Sequence, residues 1–229
     1  MTEIISVSLG FTTVYLLECD TGFLQIDTGT HSQYNQYLKK LENKGISVSD
    51  ISYLLLTHHH YDHAGFASEL QKLGTHLIVH KNAVPYFRTG EHEEGEYVNF
   101  CIKVIGGITS LFTTYEGPVI TLQDSDTIIQ KDNTTFLPGI GIDGQIVYTP
   151  GHTTDSISVI TQEKAFVGDA AMNSFNFCRI HYRPVIIHDI DEVIASWDIL
   201  TEKAQKIYPA HGNPFDADKL VKAKKKFMP

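Results

Sequence analysis

The stretch Thr57-His58-His59-His60-Tyr61-Asp62-His63 constrains this chain most, because it delivers four potential metal ligands in six residues directly after an apolar run, Ile51 to Leu56. The run reads as a buried strand, so these side chains sit on the loop that leaves its C-terminal end. His58 and His60, two apart on extended backbone, can face one ion together. Asp62 and His63, adjacent and diverging, can serve a second ion beside it. Borderline-soft divalent ions take imidazole and carboxylate donors and need three or more each, so the loop alone is incomplete. Alternation turns His59 away from the ligands on either side, and it reads as structural.

Three later segments each end an apolar strand in a further candidate ligand. Gln145 to Thr149 leads to His152, Lys164 to Val167 leads to Asp169, and Lys206 to Pro209 leads to His211. Together with the loop they make seven.

With Asp27-Thr28-Gly29 added upstream, the order Asp-x-Gly, His-x-His-x-Asp-His, Gly-His-Thr, Gly-Asp and Pro-x-His-Gly resembles the metallo-β-lactamase-fold hydrolase superfamily over nearly the whole chain. The resemblance implies an α/β fold, the four-layer αββα sandwich. It implies that His58, His60 and His152 hold one metal, that Asp62, His63 and His211 hold a second, and that Asp169 bridges them. Asp27 would stand behind the ligands and anchor their loop. The expected cofactor is a pair of divalent ions, zinc first, with iron or manganese also suited to the donors.

Two such ions lower the pKa of a shared water and polarise the scissile group, which makes a hydrolase of a small ester, lactone, thioester or phosphodiester the leading expectation. Asp62 is the expected catalytic proton carrier. Departures from particular branches narrow the resemblance. Flavin-linked diiron relatives usually carry Glu at the position of His60, and secreted β-lactamases of the fold lack the bridging Asp. Glyoxalase II types add a C-terminal helical domain, whereas here only Gly212 to Pro229 follow the last ligand. Compact lactonases share the ligand set. The rivals are a mononuclear iron persulfide dioxygenase of the same fold and a non-enzymatic metal-binding or sensor protein. Substrate contacts are expected from the segment after Asp169, with Asn173, His181, Tyr182 and Arg183 as candidates.

At 229 residues and 42% hydrophobic content, the chain reads as one domain spanning residues 1–229. A net charge of -9 argues for a small-molecule substrate over nucleic acid, which needs a basic stripe. No stretch approaches a membrane span. Met1 to Leu9 does not read as a signal peptide, and Cys19, Cys101 and Cys178 show no paired spacing, so a reducing cytoplasm is the expected location.

Residues 81–117 fit neither half and read as a helical insertion. Tyr97, Phe100, Cys101, Val104, Ile105, Ile108, Leu111 and Phe112 form an apolar stripe at helical spacing. It predicts one helix over 96–112, kinked at Gly106-Gly107 and preceded by acidic residues from Glu91 to Glu96. The stripe could pack on the domain's core, cover the metal site as a lid, or join two subunits in a homodimer.

Overall fold

In the computed structural model, which describes residues 3–109 and 117–226, the chain alternates strands and helices in two halves. The first half runs β1 (Ile4–Ser8), β2 (Thr13–Cys19), β3 (Gly22–Ile26), α1 (Tyr34–Glu42), β4 (Ile51–Leu55), α2 (Tyr61–Ala64), α3 (Ala67–Lys72), β5 (His76–His80) and α4 (Ala83–Thr89). Then come β6 (Glu96–Tyr97), α5 (Phe100–Thr109), β7 (Thr127–Ile129) and α6 (Phe136–Gly139). The second half runs β8 (Gly144–Tyr148), β9 (Ile157–Thr161), β10 (Lys164–Gly168), β11 (Ile186–Ile187), α7 (Ile190–Lys203), β12 (Lys206–Pro209), β13 (Phe215–Asp216) and α8 (Asp218–Lys224).

Two mixed sheets carry the fold, one in the order β1-β2-β3-β4-β5-β7 and the other β13-β12-β10-β9-β8. Strand alternation sends successive side chains to opposite faces and so divides the core into layers. Tyr15, Leu17, Leu55 and Ile78 of the first sheet meet Ile146, Val159 and Phe166 of the second between the sheets. Their neighbours Val14, Leu16, Leu54 and Leu77 face outward onto Tyr37 and Leu41 of α1 and Leu70 of α3. Val147, Ala165, Val167 and Ile207 likewise cover Val193, Trp197 and Leu200 of α7. The result is the expected helix–sheet–sheet–helix sandwich.

Strands β3, β4 and β5 run parallel, and this makes the Ile51 to Leu56 run apolar on both faces. In the second sheet β10 and β12 are the parallel pair. The loops after β4, β8, β10 and β12 therefore gather at one edge of the sandwich, where the candidate ligands lie. The strands β1 and β7, at the two edges of the first sheet, were not expected from sequence.

The insertion differs from expectation in four respects. The helix begins at Phe100, because Glu96 and Tyr97 form β6, which pairs antiparallel with Ile186 and Ile187. Asn99 supplies the reason for the start, since its Oδ1 accepts from the Ile102 N–H at 3.0 Å as a cap. The helix continues through Gly106-Gly107 with no break, and Gly106 serves a close approach: a Cβ there would stand 2.6 Å from the Tyr97 ring. The stripe also divides. Ile102, which was not counted in it, is buried beside Cys178 and Ile180, whereas Phe100 is 79% exposed and Val104 and Ile108 are exposed with it. Leu111 and Phe112 lie outside the described residues. The acidic stretch does not sit at the helix start either, and Glu93 turns inward.

Cys101 of α5 and Cys178 form a disulfide across a sequence separation of 77. No local spacing could signal it, because the pair exists only once α5 has docked on the chain that follows Met172. A formed disulfide belongs to oxidising compartments. This removes the argument from cysteine usage for a cytoplasmic location. Among the described residues, no helix is long and apolar enough to cross a membrane.

Candidate metal centre

The seven sequence-selected side chains converge at the sheet edge, and each is fixed by local structure. Asp27, at the end of β3, has the left-handed φ of 60° that Asp tolerates better than most residues. Its Oδ1 accepts from the Thr57 N–H at 2.7 Å, while its Oδ2 accepts from the Thr57 hydroxyl at 2.8 Å and from His63 Nδ1 at 2.9 Å. One carboxylate thus ties β3 to the loop after β4. Gly168 is required opposite, since a Cβ there would fall 2.2 Å from the Thr57 hydroxyl. His60 has extended backbone at the start of α2, and its carbonyl accepts from the His63 and Ala64 N–H groups, which sets Asp62 and His63 in one helical turn.

Two groups of donors result. His58 Nε2, His60 Nδ1 and His152 Nε2 stand 3.1, 3.1 and 3.2 Å apart in a triangle. Beside it, His211 Nε2 is 3.2 Å from Asp62 Oδ2, and both His211 Nε2 and His63 Nε2 are 3.4 Å from Asp169 Oδ1. The other Asp169 oxygen, Oδ2, is 3.7 Å from His152 Nε2. Asp169 therefore lies between the groups and offers one oxygen to each.

The hydrogen bonds behind the rings assign their tautomers. His58 Nδ1 faces the Thr57 hydroxyl at 3.1 Å, and that hydroxyl already donates to Asp27, so His58 is the donor. The Nδ1–H of His152 donates to the Ile186 carbonyl at 2.7 Å, and that of His211 to the Phe11 carbonyl at 3.0 Å. His63 donates to Asp27. Each of these four rings then turns its Nε2 inward, where the neutral ring presents a lone pair. Lone pairs clustered at about 3 Å in a buried site repel one another unless a cation accepts them, and this is the donor arrangement that carboxylate- and carbonyl-oriented metal histidines adopt. His63 Nε2 and Asp169 Oδ1 are buried with no hydrogen-bond partner, as metal-directed atoms would be. The residues fit divalent metal ions.

The electrostatics divide the two groups, and at the second a metal would have to displace the protons that the raised imidazoles otherwise hold. Burial, reinforced by the neighbouring imidazoles, holds His58 and His60 well below the ordinary histidine range. Burial also acts on His63 and His211, but there the Asp169 and Asp62 carboxylates prevail and raise both. The same imidazoles overcome burial at Asp62 and Asp169 and hold both carboxyls below their usual range.

His59 points out of this cluster. Its Nδ1 lies 2.9 Å from Asp155 Oδ1, its Nε2 accepts from the Glu93 N–H at 3.2 Å, and its ring stacks on Tyr86 at 4.1 Å. With both nitrogens committed, His59→Ala is expected to leave metal stoichiometry unchanged while lowering stability by about 3 kcal/mol or more, because it strands the buried Asp155 carboxylate. Denaturation combined with elemental analysis checks this. Loss of a metal would instead make His59 a ligand.

A cavity of about 530 Å³ opens above the cluster, with His60, Asp62, His152, Asp169 and His211 in its lining. Asn173, His181, Tyr182 and Arg183 do not line it. Asn173 Nδ2 donates to the Asn213 carbonyl, Tyr182 packs on Phe215 and Arg183 Nε donates to the Ile180 carbonyl. The neighbouring Met172 and Phe175 line the cavity in their place. Phe11, Tyr61, His92 and Glu93 line it too and were missed. Glu93 clamps the insertion to the ligand turn by accepting from the Thr154 N–H and hydroxyl, each at 2.6 Å, and from Tyr86 at 3.0 Å. Acidity at Glu91 to Glu96 was the only sequence signal, and it does not distinguish one inward residue from its exposed neighbours.

This fold and this edge of clustered His and Asp define a candidate metal centre, and the chain belongs to the metallo-beta-lactamase superfamily, whose family model matches residues 7–211. Among its relatives, the metallo-beta-lactamase fold-containing protein ST1585 of Sulfurisphaera tokodaii is 28% identical over 177 residues, covering 76% of this chain and 62% of the relative. The N-acyl homoserine lactonase AiiB of Agrobacterium fabrum is 34% identical over 104 residues, 34% of this chain and 37% of the lactonase. The chain spans about three fifths of the length of the curated relatives it matches over most of its own length. Of solved structures, ST1585 from Sulfolobus tokodaii superposes with a TM-score of 0.63 at 21% identity, covering 99% of this chain and 86% of that one. The metallo-beta-lactamase family protein TTHA1429 from Thermus thermophilus does so with a TM-score of 0.67 at 19% identity, covering 98% and 77%. These superpositions establish the fold alone.

Proposed function

We propose that the protein is a dinuclear metal-dependent hydrolase of small carboxylic esters, lactones, thioesters or phosphodiesters. The observation that carries this is the inward set of lone pairs from His58, His63, His152 and His211, grouped with His60, Asp62 and Asp169 at the floor of an open cavity. His58, His60 and His152 would hold one ion, Asp62, His63 and His211 the other, and Asp169 both. Zinc is the ion we assign, and iron or manganese would suit the same donors. When bound, such ions lower the pKa of water and polarise the oxygen of the scissile group.

The chain's own residues do the rest. Asp62, held ionised by its imidazole neighbours and lining the cavity, can take a proton from the attacking water and return it to the leaving group. Asp27 and the Phe11 and Ile186 carbonyls keep the rings oriented, so little reorganisation is needed at the moment of reaction. A relative named as a lactonase supports the reading, although it aligns over a third of the chain.

The test is hydrolysis of a lactone, a thioester, a carboxylic ester and a phosphodiester by protein loaded in turn with zinc, iron and manganese. Turnover of at least one, abolished by a chelator and restored by metal, is expected. Activity that survives complete metal removal, or no turnover in any loaded form, contradicts the proposal.

A homodimer is proposed to form through the Phe100, Val104 and Ile108 face of α5, which is exposed among the described residues.

A further inference from the structure

The cavity above the cluster is divided in its chemistry. Its floor is polar, but most of its wall is apolar and comes from segments far apart in sequence: Phe11 before β2, Ile102 and Ile105 of α5, Met172 and Phe175 after β10, and Ile186 of β11. No Lys or Arg is among the described lining residues. Its charged side chains other than histidine are Asp62, Asp169 and Glu93, and the Glu93 carboxylate is already engaged by Thr154 and Tyr86. Apart from the cations proposed at its floor, the described lining therefore offers a polyanionic substrate no guanidinium or ammonium group.

The apolar wall is built to last. The Cys101–Cys178 disulfide joins α5 to the segment carrying Phe175, and β6 pairs with β11 beneath it. Asn99 adds a bond from its Nδ2 to the Cys178 carbonyl at 2.9 Å. The insertion thus forms a fixed side of the cavity, with Ile102 and Ile105 in its lining.

We infer that the site takes uncharged carboxylic esters, thioesters or lactones carrying an apolar chain, with the scissile carbonyl on the His/Asp floor and the chain along the wall made by α5, Met172 and Phe175. This rests on the hydrolase reading above. The chemistry balances as simple hydrolysis: water adds to the carbonyl carbon, the acyl–oxygen or acyl–sulfur bond breaks, and the leaving group departs with the proton.

The experiment uses the metal-loaded full chain with p-nitrophenyl esters from acetyl to decanoyl and with bis-p-nitrophenyl phosphate as the anionic comparator. Burying each added methylene is expected to raise kcat/KM by about fourfold until the cavity is filled, and every ester is expected to outpace the phosphodiester. Ile105→Trp, which shortens the wall from a partly exposed position, is expected to move the optimum to shorter chains. A kcat/KM independent of chain length, a preference for the phosphodiester, or an optimum unmoved by Ile105→Trp in a folded variant would overturn this inference and leave the hydrolase reading intact. No turnover of any compound would overturn the hydrolase reading, and this inference with it.

Discussion

Replacing Asp62 by Asn is expected to lower kcat by about 10²-fold or more, the scale of a lost general acid or base, with KM changed much less. Asparagine keeps the size of the side chain and one ligating oxygen but can neither hold nor return a proton. Asp62 lies at the cavity floor with Oδ2 3.2 Å from His211 Nε2, so its carboxylate meets both the cluster and the substrate space. Steady-state kinetics beside metal analysis separate the two roles. Turnover within a few-fold of the parent at full metal content would reduce Asp62 to a ligand, and loss of metal in proportion to activity would do the same.

The second large effect is expected at Asp27, which never touches the cavity. Its carboxylate accepts three hydrogen bonds in a fully buried position, and Asp27→Ala leaves the Thr57 N–H and hydroxyl without that partner and His63 Nδ1 without its acceptor. An expected stability loss of about 3 kcal/mol follows from the orphaned donors. Metal affinity is expected to fall by about 10- to 100-fold, because the His63 ring is no longer held in one tautomer and orientation. Denaturant titration and competition with a chromophoric chelator measure the two independently. An unchanged affinity in the folded variant would mean that packing alone orients His63.

The sequence disclosed what is local. Ile51 to Leu56 announces a buried strand, and a strand that ends in His-x-His-x-Asp-His must present those groups at its C-terminal edge. The same logic found His152, Asp169 and His211, since each follows a strand of the second sheet. Alternation separated His59 from its neighbours, and its stack on Tyr86 and contact with Asp155 match that reading.

What depends on docking was not legible. Ile102 is buried and Phe100 exposed, although both suit an apolar helix, because the orientation of α5 is set by the partner segment around Cys178 and Ile180 rather than by its own periodicity. Asn99 did offer a readable cap that would have started the helix at Phe100. The Cys101–Cys178 bond and the inward turn of Glu93 follow from the same docking. The residues after Asp169 were expected to meet substrate as a block, but the chain twists through positive φ at Phe175, Arg179, His181 and Tyr182, and Met172 and Phe175 reach the cavity while Tyr182 packs on Phe215.

Counting metal per chain by elemental analysis, on the parent protein and on His58→Ala/His152→Ala, tests the central claim most directly. The parent is expected to hold two ions under metal-replete conditions, and the double variant, folded by circular dichroism, is expected to hold one, kept by Asp62, His63, His211 and Asp169. A parent that binds one ion or none, or a double variant that still binds two, would contradict the assignment of two adjoining sites.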